Sequence, residues 1–387
     1  MSFNENSQLI KERKTPYKNI TLEKENTKTC FCYSSIIIIL SKIIFYLLMI
    51  FLTYMLIRIN NDGKENIKPE KILEELLKNK TEVGPFPATE STKYSPTLLD
   101  EKKICSNNKK FVIMRRTSCE GCGLFSYYIV HLGCMINYLK LGYIPILDVG
   151  SFSNIFTGDD SPDDNPWEQF FNQPCGYTLA DVVKMKDVEI SECECVLDMP
   201  DEKTVYSKKI MYSYHHKIQE KYMGVKKKII KEVNYVWRNL FGFSKNVLGI
   251  FMRGTDYRAT KLGGHSRQPP IETAINDTIN MDQKNKYKYF FLGTEDNDIT
   301  DAFIKKFGHK LKYLLPDKKI SYNSGDGLIT YNRDVYGNMK FLKTYLYNVV
   351  ILSRCIDIIL SRTSGAAGVY IMSNGYRNKI VYYMGEY

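Results

Sequence analysis

Four short segments combine arginine, glycine, hydroxyl and carboxylate residues in spacings suited to holding a phosphate or a sugar. The first is Arg115-Arg116-Thr-Ser-Cys119-Glu-Gly121-Cys122-Gly123-Leu124. Glycines between a strand and a helix let backbone N–H groups approach a ligand at the helix N-terminus, although any tight turn of this kind favours glycine. Gly121 and Gly123 are the candidate contacts. The second is Arg253-Gly254-Thr255-Asp256-Tyr257. A guanidinium at a strand end can grip a diphosphate through two hydrogen bonds and offset its charge as it leaves. Asp256 would hold that arginine or contact the sugar; a plain surface Arg–Asp pair is the alternative. The third is Gly293-Thr294-Glu295-Asp296-Asn297-Asp298. Its Asp-x-Asp could chelate a divalent metal bridging a diphosphate, but Asp298 falls where a helix begins, and capping is preferred there. In the fourth, Ser361-Arg362-Thr363-Ser364-Gly365-Ala366-Ala367-Gly368, small hydroxyl residues open a helix, which suits an N-cap and an anion site alike.

Other clusters point to chemistry less directly. Cys119-x-x-Cys122 and Cys193-x-Cys195 supply four thiols, but the separation of the pairs matches no familiar zinc module, leaving disulfides or free thiols. No Gly-x-Ser-x-Gly elbow of a serine hydrolase is present. His215 and His216 lie in a charged helical stretch and are expected to be solvated. The acidic run Asp159-Asp160-Ser-Pro-Asp163-Asp164 reads as a soluble loop. Its continuation, Asn165-Pro-Trp167-Glu-Gln-Phe170-Phe171, suits stacking on a carbohydrate or anchoring a loop in the core.

The elements that must position these segments alternate between strand and helix. Phe111–Met114 and Tyr143–Leu147 read as strands around a helical run from Leu124 to Leu141, a βαβ unit that favours a parallel sheet. Residues 149–175 read as a polar and aromatic loop, and Lys203 to Leu240 as a long, mostly helical stretch. Strands are then expected at Val247–Met252, Tyr289–Gly293, Leu311–Leu315, Ile356–Leu360 and Lys379–Tyr383. Helices are expected near Ile271–Ile279, Ile299–Phe307, Met339–Arg354 and Ser364–Ser373. This is an α/β chain of two Rossmann-like, doubly wound halves meeting near residue 243. Ligands in such sheets bind at the carboxyl ends of the strands, where all four segments lie.

Upstream, Ile36–Ile57 is an apolar run of 22 residues broken only by Ser41, Lys42 and Thr53. A bilayer core of ~30 Å needs about 20 such residues, so the run reads as a transmembrane signal anchor. The expected organisation is a cytoplasmic tail (1–35), the span (36–57), a stem (58–104), an N-terminal half with a helical insert (105–242) and a C-terminal nucleotide-sugar-binding half (243–387). Flanking lysines alone would place the C-terminal side in the cytosol, yet long domains translocate largely regardless of flanking charge. Ten cysteines, eight of them beyond the span, and sequons at Asn79 and Asn276 favour a luminal domain of a type II protein, in the Golgi or endoplasmic reticulum. Cys30 and Cys32, just before the span, are free thiols or acylation sites. The net charge of +11 comes from scattered lysine, and no nucleic-acid partner is expected.

In order and spacing, the four segments resemble the fucosyltransferase superfamily that groups α1,6-fucosyltransferases, rhizobial nodulation fucosyltransferases and protein O-fucosyltransferases. Gly121-Cys122-Gly123 with its helix resembles the first motif, and Leu248-Gly-Ile-Phe-Met-Arg253-Gly-Thr-Asp256 the motif written V-G-x-H-x-R-R-x-D. Tyr289–Asp296 resembles the apolar strand ending in T-D-D, and Leu352–Asp357 with Ser361–Ser364 the closing motif. The resemblance covers most of residues 111–387. It implies a GT-B-like fold, a GDP-fucose donor, inversion at the anomeric carbon, no metal or other cofactor, and a glycan or glycoprotein acceptor. By the same resemblance Arg253 binds the β-phosphate, Ser364 contacts phosphate with Thr363 beside it, Asp296 lies near the nucleotide, and Asn348 falls where the family contacts guanine through an acidic residue. This sequence has Phe251 in place of the family's histidine, Gly254 in place of the second arginine, Phe125 in place of a glycine, and Lys261 where a carboxylate base would fall. Asp256 and His265 are then the nearby base candidates. Two other readings remain open: a metal-dependent GT-A transferase using Asp296-Asn297-Asp298, and a catalytically inactive, glycan-binding membrane protein.

Overall fold

Short apolar runs such as Val247-Leu-Gly-Ile-Phe251 and Ile358-Ile-Leu360 form strands covered on both faces, as parallel sheets require. In the computed structural model the described residues are Cys105 and residues 110–119, 122–157, 164–193, 205–206, 209–254, 257, 266–314 and 339–385. All belong to one compact unit, Ile67–Tyr387. The tail, the apolar run 36–57 and the stem lie outside them. Among the described helices none is long and apolar enough to cross a membrane.

The first sheet contains β1 (Lys110–Arg115), β2 (Tyr143–Leu147) and β3 (Val188–Glu192), all parallel in the order β2-β1-β3. Helix α1 (Leu124–Lys140) joins β1 to β2 and is apolar nearly all round, because other helices cover the side turned away from the sheet. Strand β3 is absent from the sequence reading. It is five residues long, carries two glutamates and sits at an edge, where Glu189 accepts a hydrogen bond from Tyr143 Oη at 2.7 Å. Short helices α2 (Trp167–Phe170) and α3 (Leu179–Val182) precede it. Trp167 is fully buried against Phe171, Tyr128 and Phe156, so it anchors its loop in the core.

The stretch read as one helical segment is two helices, α4 (Lys209–Tyr222) and α5 (Lys227–Phe241), broken where Val225 pairs with Phe171. His215 is buried, not solvated as its charged surroundings suggest, because α4 packs on α1 and on the last helix of the chain. His216 reaches that last helix through Ile371 O, 2.8 Å from Nδ1.

The second sheet contains β4 (Val247–Phe251), β5 (Tyr289–Gly293), β6 (Leu311–Tyr313), β7 (Asp357–Ser361) and β8 (Lys379–Tyr382). All are parallel, in the order β6-β5-β4-β7-β8. Helices α6 (Ile271–Asn285), α7 (Asn297–Phe307), α8 (Met339–Leu352) and α9 (Ser364–Met372) accompany it. At the amino end of β7, buried Asp357 accepts hydrogen bonds from Tyr287, Arg377 and the Asn378 backbone, tying β5, β7 and β8 together. Burial alone would raise the Asp357 pKa; the Arg377 and Tyr287 bonds outweigh it and hold the carboxyl below its usual range.

Three disulfides occur among the described residues: Cys105–Cys175, Cys119–Cys122 and Cys134–Cys193, with Cα separations of 5.7, 5.4 and 6.2 Å. Cys119, Cys122 and Cys193 are therefore not zinc ligands, and Cys355 is a buried free thiol.

Helix α9 packs on α1, α4 and α8, and its glycines set the spacing. A Cβ at Gly368 would overlap the Phe125 ring, and one at Gly365 would overlap Tyr345 Oη and meet Phe251 at 3.0 Å. The bulk at Phe125 is thus matched by a missing side chain opposite. Gly368→Ala is expected to lower stability by roughly 1–3 kcal/mol, and Phe125→Leu in the same chain to recover part of it. Thermal melts of the two single variants and the double variant measure this.

His131 lies on α1 with its ring stacked near Tyr127. Nδ1 is 2.8 Å from Tyr127 O and carries the proton; Nε2 is buried with no partner among the described residues. Burial pushes its pKa down to about 4. Between pH 6.5 and 4 the unfolded chain binds a proton that the folded one refuses. This contribution to stability is therefore intact above about pH 6.5 and falls by about 3 kcal/mol on acidification to pH 4. Denaturant titrations at both pH values should show a smaller loss for His131→Phe than for the native chain.

Candidate functional site

Strand β4 is where the second sheet changes direction. The chain runs outward from β4 through β5 to β6, then returns to place β7 and β8 on the other side. The segments leaving β4 and β7 therefore diverge, and a crevice opens at their carboxyl ends, the usual ligand position in an open parallel sheet. Beside that crevice, at the carboxyl ends of β4 and β5, lies a small open cleft. Phe251, Met252 and Arg253 line it from the end of β4, Gly293, Thr294 and Glu295 from the end of β5, and Tyr345 and Asn348 from α8. The α8 pair is three residues apart, so both side chains share one helical face.

Arg253 is mostly buried. Its guanidinium forms an ion pair with Glu295 and lies 5.7 Å from the Tyr257 ring centre. Asn348 is only 7% exposed, and its Oδ1 has no hydrogen-bond partner among the described residues. An unpaired buried acceptor of this kind costs about 1–3 kcal/mol unless something completes it. Phe251 occupies the inner wall, its ring close to where Gly293 and Gly365 carry no side chain.

Gly254 is fixed by two constraints. Its φ is +60°, in the left-handed region, and a Cβ there would come within 2.6 Å of Asp296 Oδ2 and 2.8 Å of Ile299 Cδ1. A second arginine cannot occupy this position without moving α7. Asp296 lies behind the cleft as the N-cap of α7, accepting hydrogen bonds from Asp298 N at 3.0 Å and Ile299 N at 3.3 Å. The cap is thus Asp296 rather than Asp298, which is exposed in the first turn. Among the described residues no three His, Cys, Asp or Glu side chains gather as a cation cage.

On the β7 side, Thr363 caps α9 by accepting a hydrogen bond from Ala366 N at 3.1 Å, and Ser364 follows, half-buried. Gly365, one residue on, packs against Phe251 and Tyr345, which brings this helix N-terminus to the cleft wall. Gly123 caps α1 in extended backbone with open space where a side chain would be, and is not part of the cleft lining. Gly121, Asp256 and His265 lie outside the described residues.

The structure therefore brings Arg253 and Asn348 into one cleft, with the Thr363–Ser364 turn adjoining it and Asp296 supporting it from behind. Glu295 and Tyr345 complete the lining and were not identified from sequence. Tyr345 was recoverable in principle as the residue one helical turn before Asn348. Glu295 was hidden beside a more conspicuous Asp-x-Asp.

The arrangement sets a cationic group and a helix N-terminus near the carboxyl end of a parallel sheet. No family model matches the sequence, and no curated protein matches it. Solved structures similar to the chain include the following three. NodZ α-1,6-fucosyltransferase soaked with GDP-fucose is 15% identical over 69% of this chain and 93% of that one, with a TM-score of 0.42. POFUT1 in complex with GDP is 10% identical over 71% and 98%, with a TM-score of 0.41. A variant of Arabidopsis thaliana FUT1 in complex with GDP is 8% identical over 72% of each chain, with a TM-score of 0.42.

Gly254→Ala is expected to destabilise the fold by roughly 2–4 kcal/mol, from left-handed strain together with overpacking against Asp296. Asp296→Ala in the same chain removes the clash but also the cap, so the double variant should not return to native stability. Chemical denaturation of the three variants reads this out.

Proposed function

We propose that this chain is an inverting glycosyltransferase that transfers a sugar from a GDP-linked donor, GDP-fucose, to a glycan or glycoprotein without a metal ion. The observation that carries the reading is the cleft at the carboxyl ends of β4 and β5, which is lined by both Arg253 and Asn348, the latter with a buried Oδ1 that has no partner among the described residues. A diphosphate at Arg253 and the N-terminus of α9 would have its growing charge stabilised as the bond to the sugar breaks. Asn348 Oδ1 would accept a hydrogen bond from a ring N–H of the base. An acceptor hydroxyl attacking from the face opposite the diphosphate would invert the anomeric carbon, with Asp256 or His265 as candidate bases. Fucose as the sugar rests on the motif resemblance in the sequence.

The same reading extends to the rest of the chain. Residues 36–57 serve as the bilayer anchor of a type II protein, with 1–35 cytoplasmic, 58–104 as stem and 105–242 and 243–387 as the two catalytic halves in the Golgi or endoplasmic reticulum. The three disulfides suit an oxidising compartment, and Asn276 of one sequon is exposed on α6.

A second reading, donor binding without turnover, is favoured by one observation: Phe251, a group unable to transfer protons, fills the wall position where the related motif has histidine. GDP binding without GDP release in the presence of glycan acceptors would select it.

The transferase reading is tested by GDP release from GDP-fucose, with GDP-mannose and UDP-sugars as controls. Release should be specific to GDP-fucose and unchanged by EDTA. Arg253→Lys keeps a charge for Glu295 but loses the planar fork, and should slow release about 100-fold with little change in the thermal melt. EDTA-sensitive release from a UDP-sugar, or full activity in Arg253→Lys, would contradict the assignment.

A further inference from the structure

Arg253 does not meet the cleft as a bare cation. Glu295, on the segment leaving β5, pairs with its guanidinium, and the two side chains are only 14% and 10% exposed. Glu295 is held by its neighbours. Asp296, immediately after it, is locked as the cap of α7, and Asp296 N donates to Thr294 Oγ1 at 3.2 Å on the other side. The carboxylate is therefore set against Arg253 from a rigid turn, inside the cleft.

A partly buried pair of this kind is either a permanent brace or a counterion that a ligand displaces. The neighbouring Asn348 decides between them. Its buried Oδ1, in the same cleft, has no partner among the described residues, so the cleft suits a ligand carrying a donor group. An anion entering with that ligand must compete with Glu295 for the guanidinium. Against one fixed carboxylate, a diphosphate that reaches the guanidinium with oxygens of both phosphoryl groups has the advantage; a monophosphate of similar charge has only one phosphoryl group and less reach.

We propose that Glu295 is an internal counter-anion, displaced from Arg253 when a diphosphate binds, and that this competition lets the site favour nucleoside diphosphates, which reach the guanidinium with two phosphoryl groups, over nucleoside monophosphates. The proposal rests on the reading of the cleft as a nucleotide-sugar site. Glu295 has no part as the base in it: paired with the arginine that holds the leaving diphosphate, it lies on the departing side of the sugar, whereas inversion needs the base on the opposite side.

Calorimetric titration of the folded protein with GDP and GMP tests this. The native chain should bind GDP at least about 30-fold more tightly than GMP, and Glu295→Gln should tighten GMP about tenfold, more than it tightens GDP, narrowing the gap. Glu295→Ala should act in the same direction. In an Arg253→Gln background, adding Glu295→Gln should change neither affinity by more than about twofold, because the competition acts through that arginine. Weaker or unchanged binding of both nucleotides in the Glu295 variants, with GDP binding intact in the native chain, overturns the counter-anion and leaves the donor site standing. A folded native chain that binds neither nucleotide at millimolar concentration overturns the donor reading and this proposal with it.

Discussion

Two positions without side chains, Gly365 and Gly368, decide how closely α9 can approach its neighbours, and much of the molecule depends on that distance. Phe125 of α1 fills the space over Gly368, while Tyr345 of α8 and Phe251 of β4 converge over Gly365. The same contacts pack α1 onto α9 and build the inner wall of the cleft. Two glycines in a nine-residue helix cost about 1 kcal/mol each in helix propensity. Burying the three aromatic rings against the helix backbone offsets this. The departures from the related motifs thus form a coherent set: a larger residue at 125 and an aromatic one at 251 both face the small residues of α9.

The cleft depends on that wall and on the change of strand order at β4. A parallel sheet that reverses its order there opens a crevice whatever its sequence. The side chains then decide what the crevice holds. Arg253 supplies charge, Asn348 an acceptor that needs a donor, and the capped start of α9 a further positive end. Asp296 contributes indirectly, by fixing the start of α7 and pressing against Gly254 so that the segment after β4 turns back with positive φ. A carboxylate committed in this way is not a free metal ligand.

Most of the second half could be read from its sequence because buried parallel strands leave long apolar runs, and β4, β5 and β7 each have one ending in polar, loop-forming residues. Strand β3 left no such run, since an edge strand of five residues needs only Val188 and one partly buried isoleucine to face inward. His215 was misread because helix charge reports the exposed face and not what a second helix covers. Trp167 was ambiguous, as an aromatic ring between amides suits both a sugar platform and a buried anchor. The Cys134–Cys193 pairing joins residues 59 apart and cannot be deduced from spacing alone. Arg253 and Asn348 were identified by motif position, but the Arg253–Glu295 pair exists only once β4 and β5 lie side by side.

Hydrogen exchange of the folded protein with and without GDP tests most directly whether the second-sheet cleft is the donor site. The account predicts slower exchange in three places: the segments after β4 and β5, from residue 251 to 254 and 293 to 299; the turn of α8 carrying Tyr345 and Asn348; and the first turn of α9. Protection confined to the first sheet, or no protection at saturating GDP, would contradict it.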